Sequence, residues 1–421
     1  MRLLALSVLC CSAIASAYQL FQLFASRRFF RLARRDTPRS GQALPPVTVL
    51  KPLKGPGIDL YANLASFCRQ DYPASYQIVF GVEDARDPAV AVVHQLRRDF
   101  PDRDMVLAIG HTPGANRKVA NLRHMMRHAR HAVLVMSDSD IRVRPDYLRT
   151  MVAPLADPAV GLTTCLYRGV GRFGLPSLLE SLFINTDFVP MALTAQTVQR
   201  FEYAFGASIA LRREALDRIG GFAPLVDYLA DDYLLGNHIA KAGYRLVLLP
   251  YMVETVLDSV TLGDVWRHLL RWARTYRVCQ PVNWFLTIIT HTTLWGLLAV
   301  VATDGAPLGW AALGIALATR IGSLAAIMRL LDEPDTGRHL WLVPVKDLVN
   351  SLMWAAAFSG QRVSWSGQVL RIQSDGRMVP LSPVREPIVE EEPVRAAASM
   401  LLAGSRSAQH AAAQPPAASS A

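Results

Sequence analysis

The chain has 421 residues, half of them hydrophobic, with 44 Lys and Arg against 34 Asp and Glu for a net charge of +10. No basic helix with interleaved aromatics accompanies that charge, which excludes nucleic acid as the partner, whereas arginines beside apolar runs suit an anionic membrane surface. Five cysteines without CxxC spacing or a Cys/His cluster exclude structural zinc and a disulfide framework, and suit a reducing compartment.

Residues 3–24 are essentially uncharged and long enough to span a bilayer. Arg2 and Ala15-Ser16-Ala17 give the run some look of a cleavable leader, but it continues past Ala17 and is followed by Arg27, Arg28, Arg31, Arg34 and Arg35. The basic cluster predicts an uncleaved anchor over 1–35 with everything downstream on the cytoplasmic side. A linker over 36–46 then leads to a first strand, Val47-Thr48-Val49-Leu50. Lys51 and Lys54, at its end, are placed for phosphate oxygens or are ordinary loop lysines. Leu60, Leu64 and Phe67 recur at helical spacing and predict a core helix.

A second strand, Tyr76–Val82, ends in Glu83-Asp84. A carboxylate there can accept hydrogen bonds from a uracil or ribose, or can simply make the turn before Asp87-Pro88. Residues 88–100 predict a helix and 105–109 a third strand. Gly114-Ala115-Asn116-Arg117-Lys118 opens a helix running through His131, whose first N–H groups and Lys118 can meet an anion. Its histidines lack ligand spacing and are expected at the surface.

Residues 132–136 are wholly apolar and stop at Ser137-Asp138-Ser139-Asp140, the pattern of a doubly buried central strand. In open α/β sheets ligands bind beyond the carboxyl ends of strands, and two hard oxygens there suit Mg²⁺ or Mn²⁺ with a nucleotide diphosphate. A second Asp-x-Asp, Asp102-Arg103-Asp104, precedes its strand and is expected to be a solvated loop.

Residues 145–155 predict a helix, 161–166 a strand and 174–189 an apolar helix. Phe205-Gly206-Ala207-Ser208 suits close approach of backbone to a ligand, or a plain bend. Asp231 and Asp232 head an apolar-periodic helix, either opposing its dipole or offering a general base to the sheet end. Residues 265–272, Val-Trp-Arg-His-Leu-Leu-Arg-Trp, form a basic aromatic amphipathic helix suited to a membrane boundary, with His268 and Arg271 on one face. Residues 282–303 and 308–328 predict two further spans. Arg320 inside the second is expected to face protein or snorkel. Residues 339–358, with Lys346-Asp347 at their middle, predict a third span or a re-entrant segment. Residues 361–379 are polar and cytoplasmic-looking, and 399–421 read as a disordered tail.

Taken in order, residues 47–277 resemble the lipid-directed and processive glycosyltransferases of families 2 and 21. The motifs are LKPLKG (50–55), SFCRQDYP (66–73), VEDARDPA (82–89), NRKVANL (116–122), SDSDIRV (137–143), ADDY (230–233) and HLLRW (268–272). Within that group the chain is similar to ceramide glucosyltransferases, and closer still to a bacterial hopanoid-associated branch through CRQDYP, NRKV, PLADP, TCLYRG, FGA and ADDY.

The resemblance implies an α/β GT-A fold: a mixed, mainly parallel sheet with flanking helices, occupying 36–280 between the N-terminal anchor and a C-terminal transmembrane region over 281–360. It implies that Asp84 contacts the uridine, that Lys118 and Asn121 line the nucleotide pocket, beside Lys51 as placed by its strand end, and that Asp138 and Asp140 hold the sugar nucleotide and a divalent metal, Mg²⁺ or Mn²⁺. Asp232, with Asp231 beside it, matches the catalytic base. Arg271 and Trp272 match the end of a Q/RxxRW motif, with His268 at its first position and Gly206 and Ser208 near the acceptor.

The implied reaction is inverting hexosyl transfer from a UDP-sugar to a membrane lipid at the cytoplasmic face of a bacterial inner membrane. N-acetylglucosamine transfer to bacteriohopanetetrol is the first expectation, and glucose transfer to ceramide the alternative. Animal ceramide enzymes carry His-Pro where this chain has Asn185-Thr186-Asp187-Phe188-Val189-Pro190. A catalytically silent scaffold is the third possibility, which the acids Asp84, Asp138, Asp140 and Asp232 argue against.

Overall fold

The computed structural model describes residues 2–33, 44–110, 112–171, 174–365 and 368–383. Most of the linker and the expected tail lie outside the described residues. Eight strands, β1 (Val47–Pro52), β2 (Tyr76–Val82), β3 (Asp104–Ile109), β4 (Val133–Ser137), β5 (Ile141–Arg142), β6 (Val160–Gly171), β7 (Ser208–Arg212) and β8 (Arg245–Leu257), form one sheet in the order β3-β2-β1-β4-β7-β6-β8-β5. β1, β2, β3 and β4 are mutually parallel, β7 runs antiparallel to both β4 and β6, and β6 pairs in parallel with β8. The mixed, mainly parallel sheet with flanking helices agrees with the expected architecture.

Strand alternation divides the core. Val47, Val49, Ile78, Phe80 and Val135 face a layer containing Leu64, Phe67, Val93 and Met151. Leu50, Val79, Leu134 and Met136 face the opposite layer, with Val119, Leu122, Leu235 and Ile239. With both faces covered, the parallel strands read as continuous apolar runs.

Strand order also positions the site. The chain steps from β1 to β2 to β3 on one side and then returns to lay β4 on the other side of β1, so the crevice between β1 and β4 is the topological switch point. β7, antiparallel to β4, pairs Ser208 with Ser137. The Phe205-Gly206-Ala207 loop is thereby brought to the same edge as Asp138.

The helices depart from expectation in four places. Arg117–Met125 stops before His131, because the chain must turn to enter β4, and the ring nitrogens of His124 are buried rather than exposed. The apolar segment after Gly174 is a helix to Phe183, a π turn over Ile184–Phe188 and a second helix, Val189–Val198. Residues 282–303 are not one straight helix: Pro281–Thr290 and Thr292–Ala302 meet at 56°. The break follows Thr287-Ile288-Ile289-Thr290, a β-branched run with poor helix propensity. Arg2–Leu32 and Pro307–Leu330 are the two described helices long and apolar enough to cross a membrane by themselves. Val343–Ala356, only 14 residues, carries Lys346 and Asp347 in its first turns.

Arg320 faces protein. It donates to Asp347 (2.9 and 3.1 Å), Asp187 (2.5 Å) and Gln19 (3.1 Å), while Lys346 meets Asp187 at 2.6 Å and Asp347 at 3.0 Å. The polar stretch after Gln361 forms a three-stranded antiparallel sheet over Arg362–Trp365, Gln368–Ile372 and Met378–Pro383. Val363, Leu370, Ile372 and Met378 pack on Leu229, so this sheet buttresses the loop that leads into Asp231.

Candidate active site

A cavity of about 770 Å³ opens at the carboxyl edge of β4. Asp138, Asp140, Asp231, Asp232, Lys118 and Asn121 line it, and His268, Arg271 and Trp272, from one helix, form one wall. The apolar helices contribute Met191, Ala192, Trp284 and Met353 to the same lining.

Each polar group is held by local structure. Asn116 caps the Arg117–Met125 helix by accepting from Val119 N (3.0 Å), and its amide donates to Tyr228 O (2.8 Å) and Asp231 Oδ1 (3.2 Å). That amide joins the starts of two helices and sets Lys118 beside the acids. Lys118 Nζ lies 2.5 Å from Asp138 Oδ1. Burial alone would lower its pKa, but the carboxylates of Asp138, Asp231 and Asp232 outweigh burial and raise it. Asn121 donates to Gly81 O (2.8 Å), and its own buried side-chain oxygen has no hydrogen-bond partner among the described residues.

Asp232 does more than oppose the helix dipole. Its Oδ2 accepts from Gly206 N at 2.6 Å and its Oδ1 from Tyr233 N at 2.8 Å, which aims the carboxylate at the loop before β7. Burial pushes both acids up, Asp231 to about 6, against the pull of Lys118. A Cβ at Gly206 would stand 2.9 Å from Asp232 Oδ2. Gly206→Ala is therefore expected to displace that carboxylate and lower turnover by about a hundredfold, with the thermal unfolding midpoint essentially kept. Turnover at the wild-type rate would show that the Gly206–Asp232 contact does not govern the chemistry.

Asp138 and Asp140 present two hard oxygens at one edge. Burial, then the charge of Asp138, raises Asp140 to about 6, and a divalent cation between them would remove that penalty. Among the described residues no three His, Cys, Asp or Glu side chains converge on a cage. The pair suits a cation shared with a diphosphate, since Mg²⁺ is commonly bound by one or two carboxylates plus substrate phosphates.

The Leu262–Cys279 helix starts in a capping box: Asp264 N donates to Thr261 Oγ1 (3.1 Å) and Thr261 N to Asp264 Oδ2 (2.9 Å). His268, Arg271 and Trp272 occur at i, i+3 and i+4 and share the cavity face. His268 Nδ1 lies 2.5 Å from Oε1 of Glu180, which is wholly buried and whose other oxygen accepts from the Ser259 hydroxyl. The His268 ring meets Trp272 edge-on at 4.6 Å. Burial lowers the pKa of Arg271, whose guanidinium faces the ring of Trp365 at 5.9 Å.

Three expected residues stand elsewhere. Asp84 turns to solvent and pairs with Arg86 at 2.6 Å, which holds it down to about 2, while Glu83, held by Arg117 at 2.6 Å, lines the cavity in its place. Both acids lie in the loop after β2, where Arg117 draws Glu83 inward and Arg86 holds Asp84 outside. Lys51 is wholly buried below the Asp-x-Asp loop, where Nζ donates to Asp138 O (2.5 Å) and lies 3.9 Å from the Phe67 ring centre. Burial lowers it to about 7. It shapes the loop rather than reaching a phosphate. Ser208 is also wholly buried, its hydroxyl sharing a hydrogen bond with Tyr147 (2.6 Å).

Arg117, Glu180 and Tyr167 line or brace the cavity without having been given a role from sequence. Glu180 carried a signal, as the one acid in the apolar helix Gly174–Phe183. Tyr167, inside β6, stood only within the TCLYRG motif and was given no role.

The family described as Glycosyl transferase family 21 matches residues 7–378. Ceramide glucosyltransferase 3 of Caenorhabditis elegans is 28% identical over 238 residues, 56% of this chain and 51% of that protein. The chain spans about half the length of the two nematode relatives it matches. The ceramide glucosyltransferase of Pyricularia oryzae is 24% identical over 471 residues, covering 89% of this chain and 93% of its own. Among solved structures, a mannosyltransferase from Pyrobaculum calidifontis in complex with GDP-Man and Mn²⁺ aligns at TM-score 0.49 and 22% identity, covering 83% of this chain and 97% of its own.

Proposed function

Because the chain belongs to glycosyl transferase family 21, we propose that this hexosyltransferase moves a sugar from a UDP-sugar to a hydroxyl of a membrane lipid, with inversion. The observation that carries the reading is that one cavity is lined both by Asp138, Asp140 and Asp232 and by Met191, Trp284 and Met353 of the apolar helices. A lipid acceptor can keep its tail among the apolar helices while only its headgroup reaches Asp232. The acceptor oxygen attacks the anomeric carbon, the bond from that carbon to the diphosphate oxygen breaks, and Asp232 takes the hydroxyl proton.

Lys118 and Arg271 face the space where the diphosphate would leave and oppose its growing charge. A divalent cation held by Asp138 and Asp140 would add Lewis-acid neutralisation of that leaving group. Asn121, with its unpaired oxygen, and Glu83 would line the nucleoside side. Trp272 and His268 would border the acceptor. The arginines that close the N-terminal apolar run, Arg27, Arg28, Arg31, Arg34 and Arg35, support a cytoplasm-facing catalytic domain on a bacterial inner membrane.

For the acceptor, the relatives named as ceramide glucosyltransferases support glucose transfer from UDP-glucose to ceramide, the alternative of the two expectations. They lend no support to the hopanoid acceptor. One observation keeps that second reading in the test: Asp187, where the animal enzymes have His-Pro, borders the cavity and is tied to Arg320 and Lys346. Purified protein in nanodiscs is to be given UDP-glucose or UDP-GlcNAc with ceramide or bacteriohopanetetrol, with and without Mn²⁺ or Mg²⁺, and products identified by mass. Glucosylceramide is the expected product. A GlcNAc-hopanoid alone would replace ceramide by the hopanoid, and no product from any pair would overturn the lipid acceptor.

Burial raises Asp232 above an ordinary carboxyl, so its base form is lost at a higher pH than usual as the solution is acidified. The acid limb of kcat is expected above about pH 4, the ordinary carboxylate value, and the same limb is expected to vanish in Asp232→Asn. A limb unchanged in that variant would assign it to another group.

A further inference from the structure

Behind the catalytic wall, the other face of the Leu262–Cys279 helix borders a second cavity of about 730 Å³. Four arginines line it, Arg274 and Arg277 from the helix and Arg362 and Arg371 from the three-stranded sheet, and none of its described lining residues is acidic. Arg362 and Arg371 stand directly opposite each other in the antiparallel pair. Like charges so placed destabilise a sheet unless an anion lies between them.

The helix arginines are built in. Gly360, at φ +89°, turns the chain just after the Val343–Ala356 helix, so that Ser359 O accepts from Arg274 Nη2 at 2.6 Å and Arg362 O accepts from Nη1. Arg277 lies 5.8 Å from the Phe358 ring centre. The Nε atoms of both Arg274 and Arg277 are buried with no hydrogen-bond partner among the described residues, and a buried donor left unmade is costly. Two apolar side chains, Phe358 at 45% and Leu381 at 42% exposure, flank the same cavity. Phe358 follows the last turn of the Val343–Ala356 helix, whose partners are the apolar helices.

We propose that this arginine cavity binds the phosphate of an anionic phospholipid headgroup, with the acyl chains passing over Phe358 and Leu381. Guanidinium forks match phosphate oxygens, and the exposed apolar pair distinguishes a lipid from a free anion. The site is separate from the reaction cavity and does not rest on the choice of acceptor.

The test measures binding of short-chain phosphatidylglycerol to the full-length protein in neutral detergent, by native mass spectrometry and titration calorimetry. Arg277→Gln and Arg371→Gln are each expected to weaken binding about fivefold, the effect of one basic residue at an anionic surface. Arg267→Gln, on the same helix but paired with Asp264 and outside the cavity, is expected to leave it unchanged. Arg371 is exposed, so its variant stays informative if Arg277→Gln misfolds. Equal losses at Arg267 and Arg371 would reduce the effect to general surface charge and overturn the site. Inorganic phosphate binding as tightly as the lipid would make it a free-anion site instead. Lipid bound only after Glu390, Glu391 and Glu392 are changed to Gln would assign the cavity to the chain's own acidic segment.

Discussion

Asp232→Asn is expected to lower kcat by about a thousandfold, within the range general-base catalysis contributes, while UDP affinity by calorimetry stays near the wild-type value. Asparagine removes the proton acceptor and keeps the shape. It also leaves one of two N–H donors, Gly206 N or Tyr233 N, facing an NH₂ group, which costs about 1–3 kcal/mol of local stability. A modest fall in the unfolding midpoint therefore accompanies the loss of rate and does not explain it. The companion variant is Asp231→Asn. Asp231 is tied to Asn116, so its loss is expected to loosen the junction of the two helix starts and act mainly on donor binding. If Asp231→Asn removed turnover and Asp232→Asn did not, the base would be Asp231.

The strands around that site were open to sequence reading because they are buried on both faces. Tyr76–Val82 has the predicted bounds, and 132–136 lies within one residue of β4. Acids at the ends of such strands are then placed at the ligand edge by sheet geometry alone, which is how Asp138 and Asp140 could be found. What could not be read is which of two successive acids in the loop after a strand turns inward, hence Glu83 in the cavity where Asp84 was expected. Nor could depth be read: Lys51, one residue past an apolar run, continues β1 inward and is covered by Phe67.

The helices were less legible because their partners are remote in sequence. Asp187 and Lys346 are 159 residues apart and meet at 2.6 Å. Read singly, Asp187 is a departure from a family motif and Lys346-Asp347 a break in a span. Together with Arg320 they are a compensated set at the level of the apolar helices. The 56° bend before Thr292 has no Pro or Gly at the break to announce it.

Arg320→Met is the variant expected to cost the most stability, about 3–5 kcal/mol, the usual loss when one member of a buried ion pair is removed. SDS-titration unfolding in mild-detergent micelles would measure it. Arg320 is 6% exposed and bonds Gln19 on the first helix, Asp187 at the π turn and Asp347 on the short helix Val343–Ala356. Its removal leaves two carboxylates sharing Lys346 in surroundings with little water to help. The double variant Arg320→Met/Asp347→Leu is expected to recover part of the loss, because one remaining Lys346–Asp187 pair is neutral, and the cycle yields a coupling energy of about 0.5–3 kcal/mol. Asp187 also borders the reaction cavity, so Arg320→Met is expected to raise the KM for the lipid acceptor more than that for the UDP-sugar. An Arg320→Met protein as stable as wild type would mean that water already reaches the cluster, and the apolar helices would then need a different placement relative to the bilayer.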